Sequence, residues 1–102
     1  MNASPELAKE QDKGDDKGPA VEVLYLNSNE EVKFHASWDE TLQHVWDESY
    51  GKLGETKRAN DEFQCQDGAS LMPYLTLTLA ESRDRHICPN RKFAIRSETG
   101  GA

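Results

Sequence analysis

The 102-residue sequence has no apolar run long enough to cross a membrane, and it carries only two cysteines and fewer basic than acidic residues. Without such a run we expect no bilayer-spanning helix. The residues after Met1 are polar, whereas a secretory signal begins with basic residues and an apolar core. We therefore expect a cytoplasmic protein that does not bind membranes.

The charge balance limits the possible partners. Nineteen acidic residues against twelve basic ones give a formal net charge of −7. A chain of this charge is repelled by a nucleic-acid backbone and by an anionic membrane surface. We expect no nucleic-acid partner.

The cysteines and histidines do not form a recognisable site. Cys65 and Cys88 could pair, but in an intracellular chain two thiols are more often small apolar residues, and we predict them to be inert. His35, His44 and His86 are scattered, with no Cys/His spacing typical of zinc sites. Because no catalytic triad or carboxylate pair can be argued from spacing either, we expect no metal, no cofactor and no enzymatic activity.

Composition divides the chain into three parts. Residues 1–19 contain Leu7 as their one large apolar side chain and are rich in charged residues, Gly and Pro. Such a segment buries too little surface to offset the entropy of ordering. We predict a disordered N-terminal tail over 1–19, a folded domain over 20–97 and a flexible tail over 98–102.

Strands are predicted where apolar and polar residues alternate. The segments with this pattern are 20–27, 32–38, a short run around Phe63 and Cys65, and 91–97. Turn residues separate the first two segments, which predicts a β-hairpin.

One main helix is predicted over about 39–50, where apolar residues recur at helical spacing. Ser37 or Asp39 can cap its start, and Gly51 and Gly54 are stop signals. We expect Trp38 and Trp46 to be packed in or near the core, because both lie on the apolar side of their elements.

The segment from Leu75 to Arg85 is ambiguous. "YLTLTLA" alternates like a strand, whereas Thr76 or Thr78 could cap a short helix in "LAESRDR". We favour the helix.

The order of hairpin, helix, short strand, irregular segment and last strand is that of the β-grasp fold, in which a mixed sheet wraps around one helix. The long connection also permits parallel pairing of the first and last strands. From residue 20 onward the chain resembles ubiquitin-like proteins, and in particular small bacterial ubiquitin-like modifiers. The likeness is carried by the hairpin "VEVLYLNSNEEVKFHAS", the helix after it, "FQCQDGASL", and "KFAIRSETGG" as last strand and tail. The likeness lies in the order of the secondary-structure elements and in the Gly-Gly near the C-terminus, and not in residue-by-residue identity. It implies an α+β, β-grasp domain.

The resemblance implies a role for the C-terminal residues Gly100, Gly101 and Ala102. A JAB-type peptidase would remove Ala102, and Gly101 would then be adenylated by an activating enzyme and passed by a conjugating enzyme to a protein amine, forming an isopeptide bond. ATP would be used by the activating enzyme and not bound by this chain, which we expect to be a monomer. Glycine at both positions suits a narrow channel, because it has no Cβ.

The tail departs from the family pattern, since Arg96 is followed by Ser97, Glu98 and Thr99 instead of lying close to the glycines. This implies a dedicated activating enzyme. Two alternatives stay open: a sulfur carrier with a C-terminal thiocarboxylate, and a ubiquitin-like adaptor that binds a partner without being conjugated.

We expect partner contacts on the face of the sheet that the helix leaves open. The first strand is apolar on both phases, which suggests Leu24 or Leu26 for this role, together with His35 and the residues around Phe63.

Overall fold

The structure, a computed structural model, describes residues 18–97. The predicted tails, residues 1–19 and 98–102, lie outside the described residues except for Gly18 and Pro19, and Gly100, Gly101 and Ala102 are among the residues outside. Within the described range, no helix combines the length and the apolar character needed to span a membrane.

The domain is a small α+β unit made of one sheet, one main helix and two short helical segments. The strands are β1 (Ala20–Tyr25), β2 (Glu30–His35), β3 (Glu62–Cys65) and β4 (Lys92–Arg96). The helices are α1 (Leu42–Leu53), a 3₁₀ helix (Met72–Tyr74) and α2 (Leu79–Asp84).

The sheet has the order β2-β1-β4-β3. β1 pairs antiparallel with β2 and parallel with β4, and β3 pairs antiparallel with β4. The predicted hairpin and the parallel pairing of the first and last strands are therefore confirmed. β1 and β4 occupy the centre, so the chain leaves the sheet from a central strand.

Helix α1 begins later than predicted. Its N-cap is Thr41, whose Oγ1 accepts a hydrogen bond from the backbone N–H of His44 at 3.1 Å. Ser37 and Asp39 do not cap it, because they belong to a separate turn in which Ser37 N donates to Glu40 Oε2 at 3.2 Å.

The end of α1 is set by one of the two predicted glycines. Gly54 has a φ of 74°, a left-handed conformation that glycine adopts without a steric penalty, and its N–H donates to the Tyr50 carbonyl. Gly51 lies inside the helix and does not stop it.

The short helix α2 confirms the favoured interpretation of residues 75–85. Thr78 Oγ1 accepts from Glu81 N at 3.1 Å, and Glu81 Oε1 accepts from Thr78 N at 2.9 Å. This reciprocal capping box satisfies two N–H groups that would otherwise lack partners.

The core lies between α1 and one face of the sheet. Trp46 of α1 stacks on Phe63 of β3 with ring centroids 5.7 Å apart, and Phe63 contacts Phe93 of β4 at 5.1 Å. Trp46 is buried and Trp38 is half-buried against the core, as predicted. The other buried apolar residues include Val21, Val23, Leu42, Val45, Leu71, Leu79 and Ile95.

Cys65 and Cys88 form a disulfide with an S–S distance of 2.03 Å, so the prediction that they are unpaired is wrong. Their separation of 23 residues gives no sign of contact in the sequence. They meet because Cys65 lies opposite Phe93 in the sheet register, which brings it beside the loop that precedes β4.

Candidate functional site

A buried carboxylate holds the end of β4. Ser97, the residue after the strand, is 7% exposed, and its Oγ donates to Oδ1 of Asp61 at 2.6 Å. Asp61 is itself 4% exposed and lies just before β3. The last residue before the predicted tail is therefore fixed to the neighbouring part of the fold.

The second carboxylate oxygen of Asp61 links this point to α1. Oδ2 accepts from the hydroxyl of Tyr50 at 2.7 Å and from the backbone N–H of Arg58 at 3.1 Å. The hydroxyl of Tyr50 in turn accepts from Nε1 of Trp46 at 3.0 Å. Each polar atom of this network thus has a partner, as buried polar groups require.

The network determines the charge of its members. Burial alone raises the pKa of Asp61, but hydrogen bonds from Ser97, Tyr50 and the Arg58 backbone favour the carboxylate and bring its pKa below the usual value. Burial, and next the hydrogen bond to Asp61, raise the pKa of Tyr50. At neutral pH the pair is an ionised Asp61 and a protonated Tyr50. With both groups engaged in structural bonds, this arrangement positions a chain end and does not suggest a catalytic pair.

The face of the sheet away from α1 is polar with a small apolar centre. Strand register places Leu24 beside Ala94, with Glu31 on the other side of Leu24 and Gln64 on the other side of Ala94. Leu24 is half-buried there, and Leu26, just beyond β1, is 42% exposed. Leu26 N donates to the Ile95 carbonyl at 3.1 Å, so this leucine lies at the end of the sheet where the chain leaves β4.

The structure separates the other two predicted contact residues from Leu24 and Leu26. His35 is exposed but pairs with Ala20, at the opposite end of β1 from Leu26. Phe63 is fully buried in the aromatic core, so the prediction that it lies on the exposed face is wrong. It lies with Cys65 on the α1 side of β3, which is the face that the alternation of Phe63 and Cys65 with Glu62 and Gln64 indicates.

A shallow groove lies on the β3 side of the same strand end. It has a volume of about 280 Å³ and is lined by Ala59, Asn60, Asp61, Glu62, Met72 and Arg96. Met72 is 37% exposed. Two of the lining residues, Arg96 and Glu62, form an ion pair with a separation of 2.9 Å.

A second cavity of about 280 Å³ lies beside the disulfide and is lined by polar residues such as Asp67, His86 and Asn90 and by apolar ones such as Leu71 and Ile87. The loop along it places His86, Cys88 and Arg91 in the left-handed region, with φ values of 59°, 49° and 58°. Sγ of Cys88 lies 3.4 Å from the Lys92 carbonyl, which could accept a hydrogen bond from the thiol after reduction.

One group of side chains could in principle hold a metal ion. Ligand atoms of Glu40, which precedes α1, and of His44 and Glu48 in α1 lie within 4.8 Å of one another. Glu40 already contacts His44 Nδ1 at 3.0 Å and accepts from Ser37 N, and His44 is exposed. These contacts are of the kind found where a helix begins, and they explain why the side chains lie close together. None of them requires a metal ion.

Sequence reasoning missed Asp61, Tyr50 and Ser97 as a connected unit. Asp61 lies in the polar run "KRANDEF", which is typical of a solvated turn. No periodic pattern marks a buried carboxylate whose partners come from residues 36 positions ahead and 11 behind.

Comparisons with models of known protein families, with curated proteins and with solved structures found no match to this chain.

Proposed function

We propose that this chain is a ubiquitin-like protein modifier with a β-grasp fold, activated and transferred through Gly101 after a JAB-type peptidase removes Ala102. Sheet order β2-β1-β4-β3, with α1 crossing one face, supports the fold assignment. The observation that best supports the functional proposal is the hydrogen bond from Ser97 to Asp61. It holds the residue from which the tail starts in a fixed position at the end of a central strand.

A fixed origin matters for the chemistry. The carboxylate of Gly101 would attack the α-phosphorus of ATP and release pyrophosphate. A thiol of the conjugating enzyme, and then an amine of the target, would attack the acyl carbon, releasing first AMP and then the thiol. Each step needs the same carbon placed within reach of a nucleophile, and a tail fixed at one end loses less freedom on entering the active site.

The outer face of the sheet is proposed to contact the protein that recognises the modifier after it has been attached to its target, and not the enzyme that adenylates Gly101. Leu24 and Leu26 supply apolar area near the strand end, and the surrounding charges limit which surfaces fit. The cellular site proposed for these reactions is the cytoplasm, where most disulfides are reduced. The proposal therefore requires the domain to stay folded with Cys65 and Cys88 as thiols.

An ATP-dependent transfer assay tests the proposal. The chain through Ala102, the chain ending at Gly101 and the chain ending at Thr99 are each incubated with ATP and a candidate activating enzyme from the native host, with and without a JAB-type peptidase from that host. We expect the Gly101 form to react without peptidase, the Ala102 form to require it and the Thr99 form to remain unreacted. Equal behaviour of the three forms would contradict the proposal.

The exposed Leu26 and half-buried Leu24 also favour a second candidate function, that of an adaptor which binds a partner through the sheet and is never conjugated. In that case replacing Leu26 by Gln would weaken partner binding, whereas deleting Gly100 and Gly101 would leave it unchanged. The tail deletion separates the two functions.

A further inference from the structure

We propose that the enzyme that adenylates Gly101 docks on Met72 and the groove beside it, a surface on the opposite side of β4 from Leu26. This inference rests on the proposed function. It adds a binding surface that neither the tail nor the outer face of the sheet supplies.

The side chain of Met72 is apolar, exposed and held in place by a hydrogen bond. It is one of two large apolar side chains that are markedly exposed among residues 18–97, the other being Leu26. Its Sδ accepts a hydrogen bond from the backbone N–H of Phe63 at 3.3 Å, which holds the side chain against the outer edge of β3. A side chain that is already held in place loses less conformational entropy when a partner covers it.

The groove begins where the tail leaves the fold. Asp61, which holds Ser97, is part of its wall, and Arg96, the last residue of β4, lines the same groove. Phe63, to which Met72 is bonded, pairs with Ile95 in the register of β3 and β4. Met72 is therefore about two strand spacings, on the order of 10 Å, from β4.

The short tail requires the enzyme to cover this region. Gly101 is the fourth residue after Ser97, and four residue steps in a fully extended chain span at most about 14 Å. An enzyme that holds Gly101 in its active site must therefore lie against the surface around the end of β4. An apolar pocket on that enzyme would bury Met72, and burying much of one such side chain corresponds to an affinity gain of about tenfold.

Leu26 provides a matched control. It is exposed to a similar extent, 42% against 37% for Met72, and is bonded to Ile95 of the same strand end from the other side. If only a substitution at Met72 weakens binding of the enzyme, the docking surface lies on the groove side of β4. If substitutions at Met72 and at Leu26 both weaken it, the enzyme makes apolar contacts with no preference for the groove.

The test measures KM in ATP–pyrophosphate exchange for chains ending at Gly101, with a candidate adenylating enzyme from the native host. Met72→Gln removes the apolar contact but keeps an acceptor for Phe63 N–H, whereas Met72→Leu keeps the apolar contact. We expect KM to rise about tenfold for Met72→Gln and to change less than about twofold for Met72→Leu and for Leu26→Gln. A synthetic peptide of residues 96–101 should have a KM at least as high as that of Met72→Gln.

Three outcomes overturn the inference: an unchanged KM for Met72→Gln, an equal rise for Leu26→Gln, or a peptide that reacts as well as the domain. Thermal unfolding of each variant shows whether a change in KM comes from loss of folding. If the unaltered chain supports no exchange at all, the proposed function fails and this inference with it. Exchange by the unaltered chain with no effect at Met72 overturns the inference alone.

Discussion

Breaking the Cys65–Cys88 bridge should destabilise the domain without unfolding it. The bridge closes a segment with a sequence separation of 23 residues, and restriction of the unfolded chain by a loop of that length is worth about 3.5 kcal/mol. Cys88 has a left-handed backbone conformation, with a φ of 49°, which costs about 1 to 2 kcal/mol. Relaxation of this backbone after the bridge is broken regains that free energy and offsets part of the loss. We expect a net loss of about 1.5 to 2.5 kcal/mol, against a total of about 4 to 12 kcal/mol for a domain of this size.

Urea unfolding followed by tryptophan fluorescence measures the effect, because Trp46 is buried in the native domain. The oxidised protein is compared with the reduced protein and with a Cys65→Ala/Cys88→Ala double variant. The reduced protein and the double variant should both unfold cooperatively at lower urea. A difference below about 1 kcal/mol would refute the loop-closure reasoning. Loss of cooperative unfolding would contradict a folded cytoplasmic form.

Two further predictions concern stability. Because the pKa of Asp61 is lower in the folded state than in the unfolded chain, its contribution is fully present above its unfolded pKa of about 3.9 and is lost as pH falls through the folded value. Ser97→Ala should move this loss to higher pH and cost about 2 kcal/mol at pH 7, and a pH-stability curve that coincides with that of the unaltered chain would contradict the network. Gly51 is exposed inside α1 with open space around its Cα, whereas Gly54 has a φ of 74°. Gly51→Ala should therefore raise the melting temperature by an amount corresponding to about 1 kcal/mol and Gly54→Ala should lower it, and changes of the same sign would contradict a helix that ends at Gly54.

The local elements could be predicted because their signals are local. Alternation indicated the hairpin and β4, and the capping residues Thr78 and Glu81 lie three positions apart in a short helix. The start of α1 was misplaced by about three residues, since Ser37, Asp39 and Thr41 are all acceptable caps and the choice depends on where the chain leaves β2.

The contacts that define the candidate site could not be predicted, because they join distant parts of the chain. Cys65 meets Cys88 only through the register of β3 and β4. Asp61 is buried because α1 and the end of β4 converge on it, although its own neighbours in sequence are polar. Tertiary packing, which single-sequence patterns do not encode, decides such positions.

Mass spectrometry of the protein recovered from its native host tests the central claim most directly. Trypsin cleaves after Arg96, so a conjugate through Gly101 would leave the five residues Ser97 to Gly101 attached to a lysine of the target. We predict peptides that carry this remnant through an isopeptide bond, together with free chain ending at Gly101. Recovery of only unconjugated chain that still carries Ala102, under conditions where the protein is abundant, would contradict the account.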